Sequence, residues 1–188
     1  MRHKFLQEKA MSKRNDFIWK AIQTICWLIF AGYCVQTGTL AFNYIFSLFK
    51  PVATHNLHLG FDLSDLYSKS KEFYTVVMAV AITMSALKAY LLYLALRLFR
   101  SLNIVKPFSG EVHKQITTIT YFTFLIGIIM VTARELVQRI FDKTYAEGFV
   151  ERYWNDGGAY LVMSAILFVI VLVFQRGIEL QNENDLTV

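Results

Sequence analysis

Residues 73–96 read FYTVVMAVAITMSALKAYLLYLAL, a long apolar run that is almost free of charge. It is longer than the about 20 helical residues that cross the ~30 Å hydrocarbon core of a bilayer. Its single charge, Lys88, lies at helical spacing from Ala81, Ser85 and Ala89, so small and polar residues share one face. Such a face suits packing against other helices rather than against lipid. The stretch therefore predicts one transmembrane helix of a bundle.

The composition of the whole chain supports a membrane protein. Of the 188 residues, 55% are hydrophobic and only 18% are charged, and the mean hydropathy is +0.41. A soluble domain has about 25% charged residues. The basic pI of about 9.2 does not indicate nucleic-acid binding, because the basic residues cluster beside the apolar runs as topology signals do. We therefore expect the lipid bilayer as a partner and no direct contact with nucleic acid.

Four apolar runs predict an all-α fold, an integral membrane four-helix bundle. Residues 1–16 form a basic lead, which we expect either as a helix on the membrane surface or as a disordered tail. Residues 17–178 form a single membrane domain, and residues 179–188 form an acidic tail. The first run is too long for a signal peptide and has no evident cleavage site, so we expect it to be retained. The expected spans are about 17–49, 73–96, 116–141 and 157–176.

The distribution of Lys and Arg predicts that both termini are cytoplasmic. With the termini inside, eleven of the nineteen basic residues are cytoplasmic and seven are outside, and Lys88 is the remaining one. The dense basic block at the N-terminus adds to this bias. Acidic residues count for little in orientation, so the prediction depends on this asymmetry.

Lys88 is the foremost candidate for a functional residue. An ionisable side chain inside a span costs about 2.5–3.5 kcal/mol on insertion scales and often marks an ion or ligand pathway. The structural alternative is that Lys88 extends toward the cytoplasmic headgroups or bonds to hydroxyls and carbonyls. By depth, its expected neighbours are Cys26, Ser164 and the hydroxyls of the third span. The predicted intramembrane polar set is Lys88, Ser85, Thr120 and Thr123.

A second polar region continues the third helix beyond its span. Polar residues follow one face and apolar residues the other, which predicts an amphipathic extension at the outer interface or along a cavity. Glu135 lies roughly 30 Å from the inner start of this helix, so we expect no direct pair with Lys88. The predicted outer polar face consists of Arg134, Glu135, Gln138 and Arg139.

The first outer loop alternates apolar and polar residues between Asn56 and Ser64. A period of two predicts an extended segment with one apolar face. His58 and Asp62 are weak candidates for a metal site, because their types suit zinc but no supporting groups are evident around them. The favoured interpretation is a polar outer surface without a metal.

The sequence contains no catalytic or cofactor motif. Cys26 and Cys34 are eight residues apart on one helix, about 12 Å along its axis, which is too far for a disulfide. No nucleophile elbow, phosphate-binding loop or metalloprotease helix occurs. We therefore expect no enzymatic activity and no cofactor.

Two segments resemble a known family, namely LFRSLNIVKPFSGEVHKQITTITYFTF and the C-terminal QRGIELQNENDLTV. Both are similar to the domain-of-unknown-function family numbered 2975, whose members are small bacterial membrane proteins. The turn Pro107-Phe108-Ser109 and the tail from Glu183 to Val188 match the family pattern, whereas the basic lead is longer than in typical members. The resemblance implies four spans, a bacterial cytoplasmic (inner) membrane location and an association with small helix-turn-helix regulators.

Two functional hypotheses are compatible with these features. The first is a regulatory or sensory membrane component that docks a cytoplasmic partner, such as a small helix-turn-helix regulator. The second is a small transporter, channel or export/immunity protein that uses Lys88 and the polar face with Arg134 and Glu135. Because four spans are few for a transporter, the second hypothesis requires a homo-oligomer. The docking residues of the first are Pro107, Phe108, Ser109, Glu179, Glu183, Asn184 and Asp185.

Overall fold

The computed structural model describes residues 2–102, 108–140 and 147–186. These residues form six α-helices and two short 3-10 helices, and they contain no strand, so the prediction of an all-α fold is confirmed. The 3-10 helices are Pro51–His55 and His58–Gly60. The α-helices are α1 (Arg2–Phe49), α2 (Ser64–Lys69), α3 (Lys71–Ser101), α4 (Gly110–Ile140), α5 (Glu147–Trp154) and α6 (Gly157–Leu186).

Four helical segments of the described chain are long and apolar enough to cross a bilayer. Their surfaces carry many exposed large apolar side chains, for example Phe17, Leu28 and Val162. Such surfaces are stable in lipid, because lipid tails are as apolar as the side chains themselves. The protein is therefore a multi-pass membrane protein, as the sequence predicts. The four segments are Phe17–Phe49, Lys71–Ser101, Gly110–Arg139 and Glu151–Glu183.

The long helices run alternately up and down, and each packs on the next. Helix α1 packs on α3, α3 on α4 and α4 on α6, whereas α1 and α6 have few or no backbone contacts within the described residues. The bundle is thus open between its first and last helices. We call the end that holds residues 50–70 and α5 the loop end, and the opposite end the terminus end.

Residues 50–70 form short helices and turns at the loop end, so the prediction of an extended segment is wrong. The chain reverses at Leu59 and Gly60, whose φ angles of 65° and 78° lie in the left-handed region. This reversal breaks the alternation of side chains that a strand would have. Leu57 and Leu63 are buried, but Leu59 between them is 60% exposed. The two 3-10 helices and α2 take the place of the strand.

The loop end contains the larger of the two described hydrophobic cores. Leu40 of α1, Leu66 of α2, Tyr74 of α3 and Trp154 of α5 are almost fully buried in one cluster. The hydroxyl of Tyr74 donates a hydrogen bond to Ser47 Oγ at 2.9 Å, which satisfies the polar end of a buried ring. With Ile126 and Met130 of α4 in the same cluster, this core joins five α-helices at one end of the bundle.

Helices α1 and α6 both extend beyond the predicted spans. Helix α1 begins at Arg2, so the basic lead is helical and continuous with the first span. Helix α6 continues to Leu186, so most of the acidic tail is helical as well. At about 1.5 Å per residue, the 48 residues of α1 extend roughly 72 Å and the 30 residues of α6 roughly 45 Å. Both lengths exceed the ~30 Å thickness of the hydrocarbon core.

The close packing of α4 against α6 depends on glycine. A Cβ atom added at Gly157 would lie 2.9 Å from Val131 Cγ2 and 3.1 Å from the backbone nitrogen of the same residue. A Cβ atom at Gly127 would lie 2.8 Å from Leu161 Cδ2. Small residues at such positions let two helix backbones approach closely in a membrane. By contrast, a Cβ atom at Gly158 would meet no atom within 4 Å.

The substitution Gly157→Ala should destabilise the protein by about 1–3 kcal/mol, because the added methyl group overpacks the α4–α6 contact. Gly158→Ala is the matched control, since it makes the same change one residue later in open space. The control should be neutral or slightly stabilising, because Ala has the higher helix propensity. Unfolding in detergent micelles measures both, and equal stability of the two variants would contradict the close approach.

Candidate functional site

Lys88 lies near the middle of α3, and its side chain is only 7% exposed. Its Nζ atom is 3.6 Å from Asp156 Oδ2. The same atom lies 5.9 Å from the ring centroid of Tyr33 and 5.6 Å from that of Tyr160. One carboxylate and two aromatic faces therefore surround the ammonium group. We call these four residues the Lys88 site.

A polar contact one helical turn away extends this site along α1 and α3. Gln36 donates a hydrogen bond from Nε2 to Ser85 Oγ at 3.3 Å, and Ser85 is buried. Gln36 follows Tyr33 by three residues, just as Ser85 precedes Lys88 by three, so both pairs lie on the facing sides of the two helices. The two contacts fix the register of α1 against α3.

The other polar residues expected near Lys88 satisfy their hydrogen bonds elsewhere. Thr120 and Thr123 each donate to a backbone carbonyl one turn earlier in α4, at 2.9 and 2.7 Å. Ser164 donates to a carbonyl within α6. Lys88 extends instead toward the loop end, where it contacts Asp156. The predicted intramembrane polar set thus divides into Ser85 and Lys88 in one group and two self-satisfied threonines in another.

Asp156 is the residue that sequence reasoning missed. Residues 155–158 read NDGG and predict a turn, but a turn signal carries no information about depth in the membrane. In the structure, this turn lies beside Lys88 and directly precedes the contact of Gly157 with α4. One sequence signal could have found the pair, because Asp156 is the acid that directly precedes the fourth span and Lys88 is the cation deepest in a span.

The contact between Lys88 and Asp156 joins a buried group to an exposed one. The side chain of Asp156 is 63% exposed, whereas that of Lys88 is only 7% exposed. A cation–π contact stabilises an ammonium group by about 0.5–2 kcal/mol. Tyr33 and Tyr160 provide such contacts to Lys88. Because Lys88 has lost most of its water, removal of the carboxylate leaves a poorly compensated charge inside the bundle.

The predicted outer polar face of α4 lies apart from the Lys88 site. Glu135 forms an ion pair with Arg139 at 4.0 Å along the exposed side of the helix. Gln138 is exposed and Arg134 is half-buried. Glu135 therefore has a partner on its own helix rather than Lys88, in agreement with the depth argument.

His58 and Asp62 are the two weak metal candidates, and no metal site is found among the residues that the structure describes. Asp62 Oδ1 accepts a hydrogen bond from the Ser64 amide at 2.9 Å, and Asp62 Oδ2 lies 3.2 Å from His55 Nδ1. Hydrogen bonding to Ser64 and then contact with His55 hold the pKa of Asp62 below its usual range. The side chain of His58 lies outside the described residues. In the part of the chain that the structure describes, no three His, Cys, Asp or Glu side chains lie close enough to hold a metal ion.

Phe108 and Ser109 lie at the terminus end, where α4 begins. Ser109 Oγ accepts the backbone N–H of Val112 at 3.3 Å, so this serine caps the N-terminus of α4. The ring of Phe108 meets that of Phe174 at 5.3 Å and occupies the space above Gly177. These contacts attach the start of α4 to the second half of α6.

Two acids of the predicted docking set lie on the last turns of α6. Glu179 Oε2 accepts a hydrogen bond from Arg176 Nη1 at 2.6 Å. Glu183 is exposed. The predicted docking residues that lie outside the described part of the structure are Pro107 and the side chains of Asn184 and Asp185.

Together, the fold and the Lys88 site define an all-α, multi-pass membrane protein with an ionisable group inside its bundle. The chain belongs to the family described as "Protein of unknown function (DUF2975)", whose sequence profile matches residues 58–188. This match confirms the family resemblance, and it includes α3, α4 and α6 but not α1. No curated protein and no solved structure matches the chain.

The substitution Asp156→Asn should destabilise the protein by about 1–3 kcal/mol, because it leaves the buried ammonium of Lys88 without a carboxylate. In a Lys88→Met background, the same substitution should have little effect, since Met fills a similar volume without a charge. A double-mutant cycle of unfolding in detergent micelles measures the difference. The same cost in both backgrounds would mean that the two residues are not coupled.

Proposed function

We propose that this protein is a regulatory or sensory membrane component that docks a cytoplasmic partner at its terminus end. The observation that carries the proposal is the continuity of α6. This helix begins at Gly157, directly after Asp156 of the Lys88 site, and continues to Leu186 without a break. A single helix therefore connects an ionisable site inside the bundle to an exposed tail.

The terminus end offers a surface of mixed character to a protein partner. A groove of about 710 Å³ lies along α6, bordered by Phe108 and the exposed Leu180. Arg176 also lines this groove and pairs with Glu179 beside it. An apolar centre with a charged rim is typical of protein–protein interfaces. The cytoplasmic location of this end is inferred from the distribution of Lys and Arg.

A signal at the loop end can reach this surface through the Lys88 site. Lys88 belongs to α3 and contacts Tyr33 of α1 and Tyr160 of α6, so a change in its pairing alters the packing of three helices. A ligand or membrane signal shifts such an equilibrium only if it interacts differently with the two arrangements. The proposal therefore has two parts, a partner at the tail and a Lys88 site that biases α6.

A small helix-turn-helix regulator is the partner class that the family resemblance favours. Glu179, Glu183 and Asp185 make the end of α6 acidic. Complementary charge increases association rate and specificity, so these residues favour a basic surface on the partner. The same acids would repel the phosphates of nucleic acid, and we therefore propose no direct contact with DNA or RNA.

Deletion of residues 179–188 should abolish recovery of the regulator in a pull-down and abolish the output of a reporter that the regulator controls. The bundle should stay folded, because the deleted residues lie beyond both described cores. Glu179→Gln with Glu183→Gln should weaken recovery, whereas Glu135→Gln, the same change at an exposed loop-end position, should not. Unchanged recovery and output after the deletion would contradict docking at this tail.

A transporter, channel or export/immunity protein is the second candidate. The observation that favours it is the open side of the bundle between α1 and α6, since Lys88 contacts residues of both helices there. Lys88→Met should then abolish flux or protection in intact cells, because an intramembrane charge of this kind marks a pathway. Lys20→Met, at an exposed position of α1, is the control. Unchanged flux and protection in Lys88→Met would remove the support for this candidate.

A further inference from the structure

A crevice of about 320 Å³ lies between α3 and α4 toward the terminus end, apart from the groove and from the Lys88 site. Helix α3 contributes Tyr90, Leu94 and Arg97, which helical spacing places on one face. The residues that α4 contributes also share one face, and they are Glu111, Lys114, Gln115 and Thr118.

The crevice contains two cations and one carboxylate. Arg97 and Lys114 form no ion pair with any other residue in the described ranges. Glu111 is held in place, because Gln115 donates from Nε2 to its Oε1 at 3.2 Å. The Oε1 atom of Gln115 in turn accepts a hydrogen bond from Ser101 Oγ at 2.8 Å. The carboxylate is thus oriented from within the protein, while both cations are available to a ligand.

The chemical groups of the crevice are ordered by depth in the bundle. Helices α3 and α4 are antiparallel and are joined by a hydrogen bond at the terminus end. Tyr90 and Leu94 are the deepest residues, and Arg97 and Lys114 lie nearer the terminus end. Glu111 is the outermost, in the first turn of α4. The lining therefore changes from apolar to cationic to anionic along the crevice.

A phospholipid whose headgroup carries a primary ammonium has the same order of groups, namely acyl chains, phosphodiester and ammonium. Basic pockets between transmembrane helices are known to bind lipid headgroups. We propose that this crevice binds such a lipid, with its phosphate between Arg97 and Lys114 and its ammonium at Glu111. The glycerol and the upper acyl chain lie against Tyr90 and Leu94.

The carboxylate of Glu111 favours this lipid over other ligands that carry a phosphate. An anionic lipid without an ammonium would leave Glu111 repelled rather than paired. A choline headgroup has no N–H to donate to the carboxylate, so it lacks the charge-assisted hydrogen bond that a primary ammonium makes. Free phosphate makes no use of the apolar wall that Tyr90 and Leu94 provide.

The test uses the full chain in detergent micelles, titrated with phosphatidylethanolamine, phosphatidylcholine or phosphatidylglycerol of identical acyl chains. Native mass spectrometry measures binding, and inorganic phosphate is a fourth arm. Phosphatidylethanolamine should bind about tenfold tighter than phosphatidylcholine, because the loss of one hydrogen bond to a charged group weakens affinity by about that factor. Arg97→Gln should weaken this binding about tenfold. Glu111→Gln should abolish the preference for phosphatidylethanolamine over phosphatidylglycerol.

Arg176→Gln and Glu179→Gln are the matched controls, because they make the same charge changes at the terminus end outside the crevice. Neither should alter lipid preference. If Arg97→Gln does not fold, Lys114→Gln takes its place. The proposal is overturned if the three lipids bind equally to the unaltered protein, if inorganic phosphate displaces the lipid, or if Arg176→Gln weakens binding as much as Arg97→Gln does.

Discussion

Every backbone amide inside a bilayer must form its hydrogen bond within the protein, and this constraint determines the architecture of the chain. Helices meet it along their own axes, which leaves association between helices to side-chain packing and a few polar contacts. Here Gly127 and Gly157 bring α4 and α6 together, and the Gln36–Ser85 hydrogen bond joins α1 to α3. The buried charge of Lys88 lies among these contacts.

Features that depend on local properties could be predicted from the sequence. Span length, helical periodicity and the Ser109 cap are local, and the described residues agree with all three. The partner of Lys88 could not be predicted, because the position of Asp156 beside it depends on how α6 packs against the other helices. The fold of residues 50–70 was missed for a related reason, since the reversal at Leu59 is stabilised by burial of Leu57 and Leu63 in the loop-end core.

The two ends of the bundle differ in the size of their hydrophobic cores. Tyr74, Trp154 and Leu66 anchor the loop end in a core shared by five α-helices. The smaller core at the terminus end is centred on Val112, Ile116 and Val171. Regions with few buried apolar contacts open at low free-energy cost, and binding sites are commonly drawn from such regions. Local opening is therefore expected to require less free energy at the terminus end than at the loop end.

Gly157, the first residue of α6, contacts Met130 and Val131, and a tilt of the helix would pivot at this contact. From this pivot the helix extends about 45 Å to Leu186. A tilt of about 5° around the pivot would carry the far tip through roughly 4 Å, by the same rise per residue. Displacements too small to disturb the core are thereby magnified into a change of position that another molecule can detect.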